Sequence, residues 1–210
     1  MSEPLILPLR CPRCGGGLAG LPHDVVFWCR DCVLPLEVVQ GQLVERRGST
    51  ARAALELPGT PRYLPVWALR VQVVSAWEDP EREASARHMP LSEWVYVTAF
   101  DLHNPAYFGD PGLIFTQKRM QFEPAPPAPA VGCSRSLEEA KAFVEPHLLT
   151  IIDRRVDVTG LTLSAAVEEV VLWGVPFADQ GAVLQDCIVG LKYPAAALNE
   201  VGALRSLKAS

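Results

Sequence analysis

The sequence predicts an α+β protein, and three observations carry that expectation. Two Cys-x-x-Cys pairs lie near the start, β-branched and aromatic runs fill the middle, and helix-capping signals followed by helical apolar spacing appear after residue 133. The expected arrangement is a small cysteine-bearing segment over residues 1–57, then a mainly antiparallel β domain over 62–210. That domain carries a kinked helix and a C-terminal helix, with a Pro-rich connector at 124–131.

In the first segment, residues 25–29 and 34–39 read as strands, and Gly41-Gln42 sits where a hairpin would turn before Leu43-Val44. Residues 66–74 form a β-branched run too apolar for an exposed edge, and residues 94–100 form another. Between them, Asp79-Pro80 predicts a short solvated helix, because Asp accepts from orphan amides and Pro at the first helical position has no amide to leave unpaired. Asp110-Pro111-Gly112 reads as a turn. Pro124-Ala125-Pro126-Pro127-Ala128-Pro129 lacks a backbone donor at four of six positions, which suits either an extended connector or an ordered surface loop.

Ser136-Leu137-Glu138-Glu139 is a capping box. Ala140, Phe143, Leu148 and Ile151 follow roughly one helical face, while Pro146 must kink that helix or split it. Two strands at 167–175 and 182–189 are joined by Ala178-Asp179-Gln180-Gly181, which is hairpin chemistry. A final helix is expected from about Pro194, with Leu198, Val201, Leu204 and Leu207 along one side. Tyr63-Leu64-Pro65-Val66-Trp67 and Trp173-Gly174-Val175-Pro176-Phe177 share an aromatic-proline-aromatic signature, through duplication of a β-unit or by chance.

Composition narrows the function classes. The 210 residues suit one domain plus a small appendage, and 49% hydrophobic content disfavours disorder. A net charge of −5 provides no positive excess to displace counterions from phosphates, which disfavours nucleic acid as a partner. The longest apolar run, residues 170–178, is far short of the roughly 18 residues a membrane-spanning helix needs. The N-terminus has no basic leader, so a cytoplasmic location is expected.

One site is chemically legible. Cys11, Cys14, Cys29 and Cys32 form C-x2-C-x14-C-x2-C, a spacing in which each pair makes a tight turn that aims two sulfurs at one point. Zn2+ favours four thiolates in that tetrahedral arrangement, and four ligands leave no open position for hydrolytic chemistry. Gly15 suits a turn that needs positive φ close to a metal, and Val25, Phe27 and Trp28 are candidates for apolar cover. Structural zinc contributes about 10 to 16 kcal/mol of apparent binding energy in isolated zinc-finger peptides. Removing Cys14 or Cys29 is therefore expected to unfold residues 1 to about 50, with the rest of the chain surviving.

Cys11-Pro12-Arg13-Cys14-Gly15 through Cys32, followed by residues 34–46, resembles a zinc ribbon of the transcription-factor-IIB or rubredoxin-like kind. Ribbons of this type occur in polymerase factors, helicases, ribosomal proteins and bacterial accessory proteins, so the resemblance implies a metal-stapled fold and no single activity. Tyr63 to Trp67, Val97 to Phe100, and Val175 to Phe177 with Gly190 are similar to bacterial proteins that place a ribbon before a β-rich domain. Rubredoxin would have glycine after the last cysteine and a longer spacer, whereas Val33 follows Cys32 here, which argues against an iron electron-transfer centre.

The remaining candidates carry less chemistry. Residues 15–20 satisfy G-x-G-x-x-G but follow a cysteine turn and precede Pro22, so the strand-turn-helix context of a dinucleotide site is missing. Arg10, Arg13 and Arg30, with Trp28 as a stacking surface, would be the nucleic-acid contacts, opposed by Asp24, Asp31 and Glu37. His23, His88, His103 and His147 share no metal spacing, and Asp101-Leu102-His103-Asn104 is the one polar loop suited to acid-base work, or simply a turn. Cys133 and Cys187 read as buried thiols. Five tryptophans and seven phenylalanines leave a choice between a dense aromatic core and an apolar face covered by a partner. The expected function is a non-catalytic accessory or assembly subunit with a protein partner and no assigned catalytic residues. A rubredoxin-like iron protein and a nucleic-acid-associated ribbon factor are the alternatives.

Overall fold

The computed structural model describes residues 9–86, 91–103, 109–130 and 132–198. It contains strands and helices in mostly antiparallel sheets, in keeping with the α+β expectation. A small sheet joins β1 (Leu18–Ala19), β2 (Val26–Cys29), β3 (Pro35–Val39) and β4 (Gln42–Glu45) in sequence order, every pair antiparallel. The β3–β4 turn is two residues long, and both Gln40 and Gly41 have positive φ, the mirror-image turn that matches strand twist.

The larger sheet is built on two long strands, β6 (Thr60–Trp77) and β8 (Leu161–Asp179), paired antiparallel over nearly their whole length. β7 (Trp94–Thr98) flanks β6, and β9 (Val183–Asp186) and β10 (Lys192–Pro194) extend the sheet beyond β8. β5 (Gly48–Thr50) pairs with β8 in parallel. Both long strands outrun their apolar sequence runs, because each supplies the other's ladder through Ser75-Ala76 and Leu161-Thr162. The register slips once, at Arg70/Val71, where β8 carries an extra residue and both Glu168 and Glu169 approach Arg70.

The two aromatic-proline-aromatic segments lie side by side on this pair, with Tyr63 opposite Pro176 and Pro65 opposite Gly174. Proline is rare inside a central strand because it cannot donate to the ladder. Here the Pro65 carbonyl accepts from Ala99 and the Pro176 carbonyl from Cys187. Those groups face away from the β6–β8 seam, so the missing amides leave that pairing intact.

Helices cover the sheet. The first, α1 (Pro80–Ala86), starts as expected, with the Asp79 carboxylate accepting from the Glu81 amide at 2.9 Å. Asp110-Pro111-Gly112, expected as a turn, opens α2 (Pro111–Gln117): Asp110 accepts from the Leu113 amide and Pro111 takes the first helical position. Asp-Pro has the same chemistry at a turn and at a helix start, and burial of Phe115 and Thr116 against Tyr96 of β7 decides between them. The capping box forms, with Ser136 Oγ accepting from Glu139 N at 3.2 Å and Glu139 accepting from Ser136 N at 2.7 Å. Pro146 splits the helix, giving α3 (Leu137–Ala142) and α4 (Val144–Asp153). The expected last helix does not begin at Pro194, which ends β10 and leads into a 3-10 turn at Ala195–Ala197. Val201, Leu204 and Leu207, like His88 and Asn104, lie outside the described residues.

Two apolar clusters lie on opposite faces of β6. Trp67, Leu69 and Val71 pack with Val26 and Trp28 of the small sheet and with Leu137, Val144 and Leu148 of the split helix. Leu64, Val66 and Ala68 pack with Phe100, Phe115, Phe177 and Tyr193. These aromatic residues build a dense interior, with Phe122 edge-on to Phe115 and Trp173, while Phe143 stays exposed. The Pro-rich stretch is an ordered strap: Thr50 Oγ1 accepts from Ala128 N, and the Thr50 carbonyl accepts from Ala125 N. Among the described residues, no helix is long and apolar enough to cross a membrane.

Candidate metal centre

The two cysteine pairs come together where the turn before β1 meets the turn between β2 and β3. One ligand atom from each of Cys11, Cys14, Cys29 and Cys32 lies within 4.8 Å of all the others, so the tetrad can hold a single metal ion. Cys14 and Cys29, from different turns, place their sulfurs 3.5 Å apart. Four thiolates at about 2.3 Å from a tetrahedral zinc would be about 3.8 Å from each other, so the donor set fits the ion with small adjustments. Amides also point at sulfur, from Gly16 to Cys14 at 3.4 Å and from Cys32 to Cys29 at 3.3 Å. Such donors offset part of the negative charge a tetrathiolate accumulates.

The thiols divide by environment. Cys11 and Cys29 are buried, Cys32 is half-buried and Cys14 is exposed. Burial opposes ionisation of Cys11, but hydrogen bonds from the Cys14 and Arg13 amides and from the Cys29 and Cys14 thiols outweigh it and lower its pKa to about 7. Cys32 is pushed up to about 12, first by the Cys14 thiol and then by burial. Cys14 is raised as well: the Gly16 amide and the Cys32 thiol favour its ionisation, but the Cys29 and Cys11 thiols and burial outweigh them.

Local backbone explains why these residues make these turns. Gly15 has φ +74°, and Val33, at the matching place after the second pair, has φ +50°. A β-branched residue is seldom found there. The two turns thus share a left-handed residue, although only the first uses glycine. The close approach expected at Gly15 occurs one residue later: a Cβ on Gly16 would lie 2.2 Å from Asp31 Oδ2 and 3.2 Å from Cys14 Sγ. In the sequence Asp31 reads only as a charge opposing phosphate, and its approach to Gly16 is not legible there because nothing in linear spacing brings the two together.

The apolar cover also differs from expectation. Leu18, Leu34, Leu36 and Leu43 surround Cys11, Cys29 and Cys32, whereas the expected Val25 and Trp28 pack into the cluster of the larger sheet, and Phe27 is not in the cysteine cluster. Trp28 is 1% exposed, so the proposed stacking surface for a nucleobase is inside the protein. Arg13 pairs with Glu45 at 2.8 Å, and Arg10 and Arg30 are exposed. Residues 15–20 form the first turn and β1 instead of a strand-to-helix loop.

Asp101 and His103 are both exposed, and their loop is tied to the end of the described chain, with His103 N donating to Ala197 O at 2.7 Å. His147 is buried, its Nδ1 3.2 Å from the Tyr96 carbonyl, and burial lowers its pKa. Arg135 donates to the Thr98 carbonyl, and Thr116 Oγ1 contacts both the Tyr96 amide and its carbonyl. These side chains cap the free edge of β7, which sequence reasoning did not anticipate. Cys133 and Cys187 are buried thiols whose pKa values burial raises. Asp186, fully buried, accepts from the amides of Ile188, Val189 and Leu191 and thereby shapes the β9–β10 turn.

No protein-family model, curated protein or solved structure matches the chain.

Proposed function

We propose that the protein is a non-catalytic accessory or assembly subunit whose N-terminal sheet is a zinc ribbon, with Cys11, Cys14, Cys29 and Cys32 as the ligands. The observation that supports this most is the convergence of four cysteine sulfurs within 4.8 Å, since a complete set of protein ligands favours a structural ion over a hydrolytic one. Zinc is preferred to iron because Val33, not glycine, follows Cys32 and the spacer between the pairs is shorter than in the rubredoxin-like pattern. In this reading the ribbon is a rigid platform that docks a protein partner, and the larger sheet makes a second contact.

Metal analysis and absorption spectra of the purified chain test the first half. One zinc per chain and a colourless solution are expected, and a visible thiolate-to-iron band with stoichiometric iron would overturn zinc. Affinity purification from the native host at moderate salt tests the second half. A stoichiometric protein partner is expected, and a clean monomer overturns the subunit role.

A further inference from the structure

The described residues offer few free chemical groups outside the tetrad, but they show how the tetrad is wired into the rest of the chain. Val26 on β2 and Glu37 on β3 are direct cross-strand partners, on the hairpin whose other end carries Cys29 and Cys32. At this rung the small sheet grips residues 132–137 three times. The Cys133 carbonyl accepts from the amides of Val25 and Val26, at 2.8 and 3.4 Å. Asp24 Oδ2 accepts from the Gly132 amide at 3.1 Å and from Leu21 N at 2.7 Å. Glu37 Oε1 accepts from the Leu137 amide at 2.8 Å, while its Oε2 pairs with Arg46 at 2.5 Å.

Glu37 is only 2% exposed, and its carboxylate sits at the N-terminus of α3, satisfying an amide that no turn of the helix itself can pair. The same short segment carries Arg135, which donates to the Thr98 carbonyl, and leads into α4, whose His147 meets the Tyr96 carbonyl. Ser134 and Arg135 also donate their amides to Ala99 O. A continuous set of contacts therefore runs from the hairpin bearing Cys29 and Cys32, through Asp24 and Glu37, to the cover on the β7 edge.

We propose that metal occupancy of the tetrad controls this cover: the loaded ribbon holds residues 132–143 against the β7 edge, and loss of the ion loosens that segment while β9 and β10 stay folded. The proposal rests on the tetrad being a metal site. Its physical basis is that unpairing the four sulfurs frees one end of the β2–β3 hairpin, and the anchoring rung lies only three residues from Cys29. Local opening of this kind is a sub-global event, detectable by amide exchange below the free energy of complete unfolding.

The test is hydrogen exchange read by mass spectrometry on the full chain, once loaded with Zn2+ and once stripped by a chelator under reducing conditions, with zinc content measured on the same samples. Exchange is expected to rise roughly tenfold or more in peptides covering 24–38 and 132–143, with 183–194 unchanged. If bound zinc is confirmed and the rise is confined to residues 9–46, the coupling is overturned while the metal site stands. A rise everywhere, including 183–194, overturns it as well, because the ion would then hold the whole fold. Absence of stoichiometric metal overturns both readings. Glu37→Gln, which keeps the side-chain volume but loses the charge, is expected to retain one zinc per chain. In that variant, metal removal should produce a several-fold smaller change at 137–143. A response equal to that of the natural chain would remove Glu37 from the link.

Discussion

Exposure separates the two cysteines whose sulfurs lie 3.5 Å apart, because Cys14 touches solvent and Cys29 does not. Cys14→Ser and Cys29→Ser are both expected to lose stoichiometric metal. Cys29→Ser should also cost a further 1 to 3 kcal/mol, since it leaves a hydroxyl in an apolar setting. Metal-to-protein ratios and urea midpoints of the two variants check this, and equal midpoints would contradict it. His147 offers a pH test. Burial lowers its pKa from 6.5, so the unfolded chain takes up the proton more readily. Its contribution to stability is therefore complete above pH 6.5 and declines as pH falls below that value toward the depressed folded pKa. His147→Gln should flatten the dependence of the urea midpoint between about pH 7.5 and 5.5, and an unchanged slope would show that other groups dominate.

Among the elements, α2 lies tightly against the backbone of β7. A Cβ on Gly112 would sit 2.7 Å from the Tyr96 carbonyl oxygen and 2.8 Å from Thr98 N, so the helix start and the β7 backbone leave space only for a hydrogen. Gly112→Ala is expected to destabilise by about 1 to 3 kcal/mol, because backbone on both sides must shift. Calorimetry should show a lower Tm, with loss of protection at 94–98 preceding the rest. In chain order α2 looks like a turn, since its Asp-Pro-Gly opening is read by local chemistry alone. The need for glycine is set by a strand met only through folding.

Across the whole molecule, the small and large sheets share one interior. Trp28 is packed with Trp67 and Leu69 even though β2 and β6 belong to different sheets. Trp28→Ala should therefore cost about 3 to 5 kcal/mol and lower the stability of the larger sheet along with the small one. Denaturant unfolding followed by circular dichroism and by zinc release should give one shared transition at a lower midpoint. Two separate transitions, with the larger sheet unaffected, would show instead that residues 1 to about 50 unfold by themselves, as the sequence leads one to expect.

The sequence by itself determined the chemistry that depends on near neighbours. The paired cysteines, the Ser136 capping box, the split at Pro146 and the hairpin at Asp179–Gly181 are each specified within a few residues, and all form. Tertiary structure alone decided what depends on distant partners. It extended β6 and β8 beyond their apolar runs and turned Trp28 inward. It also placed Glu37 on an amide 100 residues away, and a lone acid within a strand carries no sign of the helix it will cap. Local propensity acts through neighbouring dihedrals, whereas burial and pairing of a polar group are settled only when the elements that surround it have met.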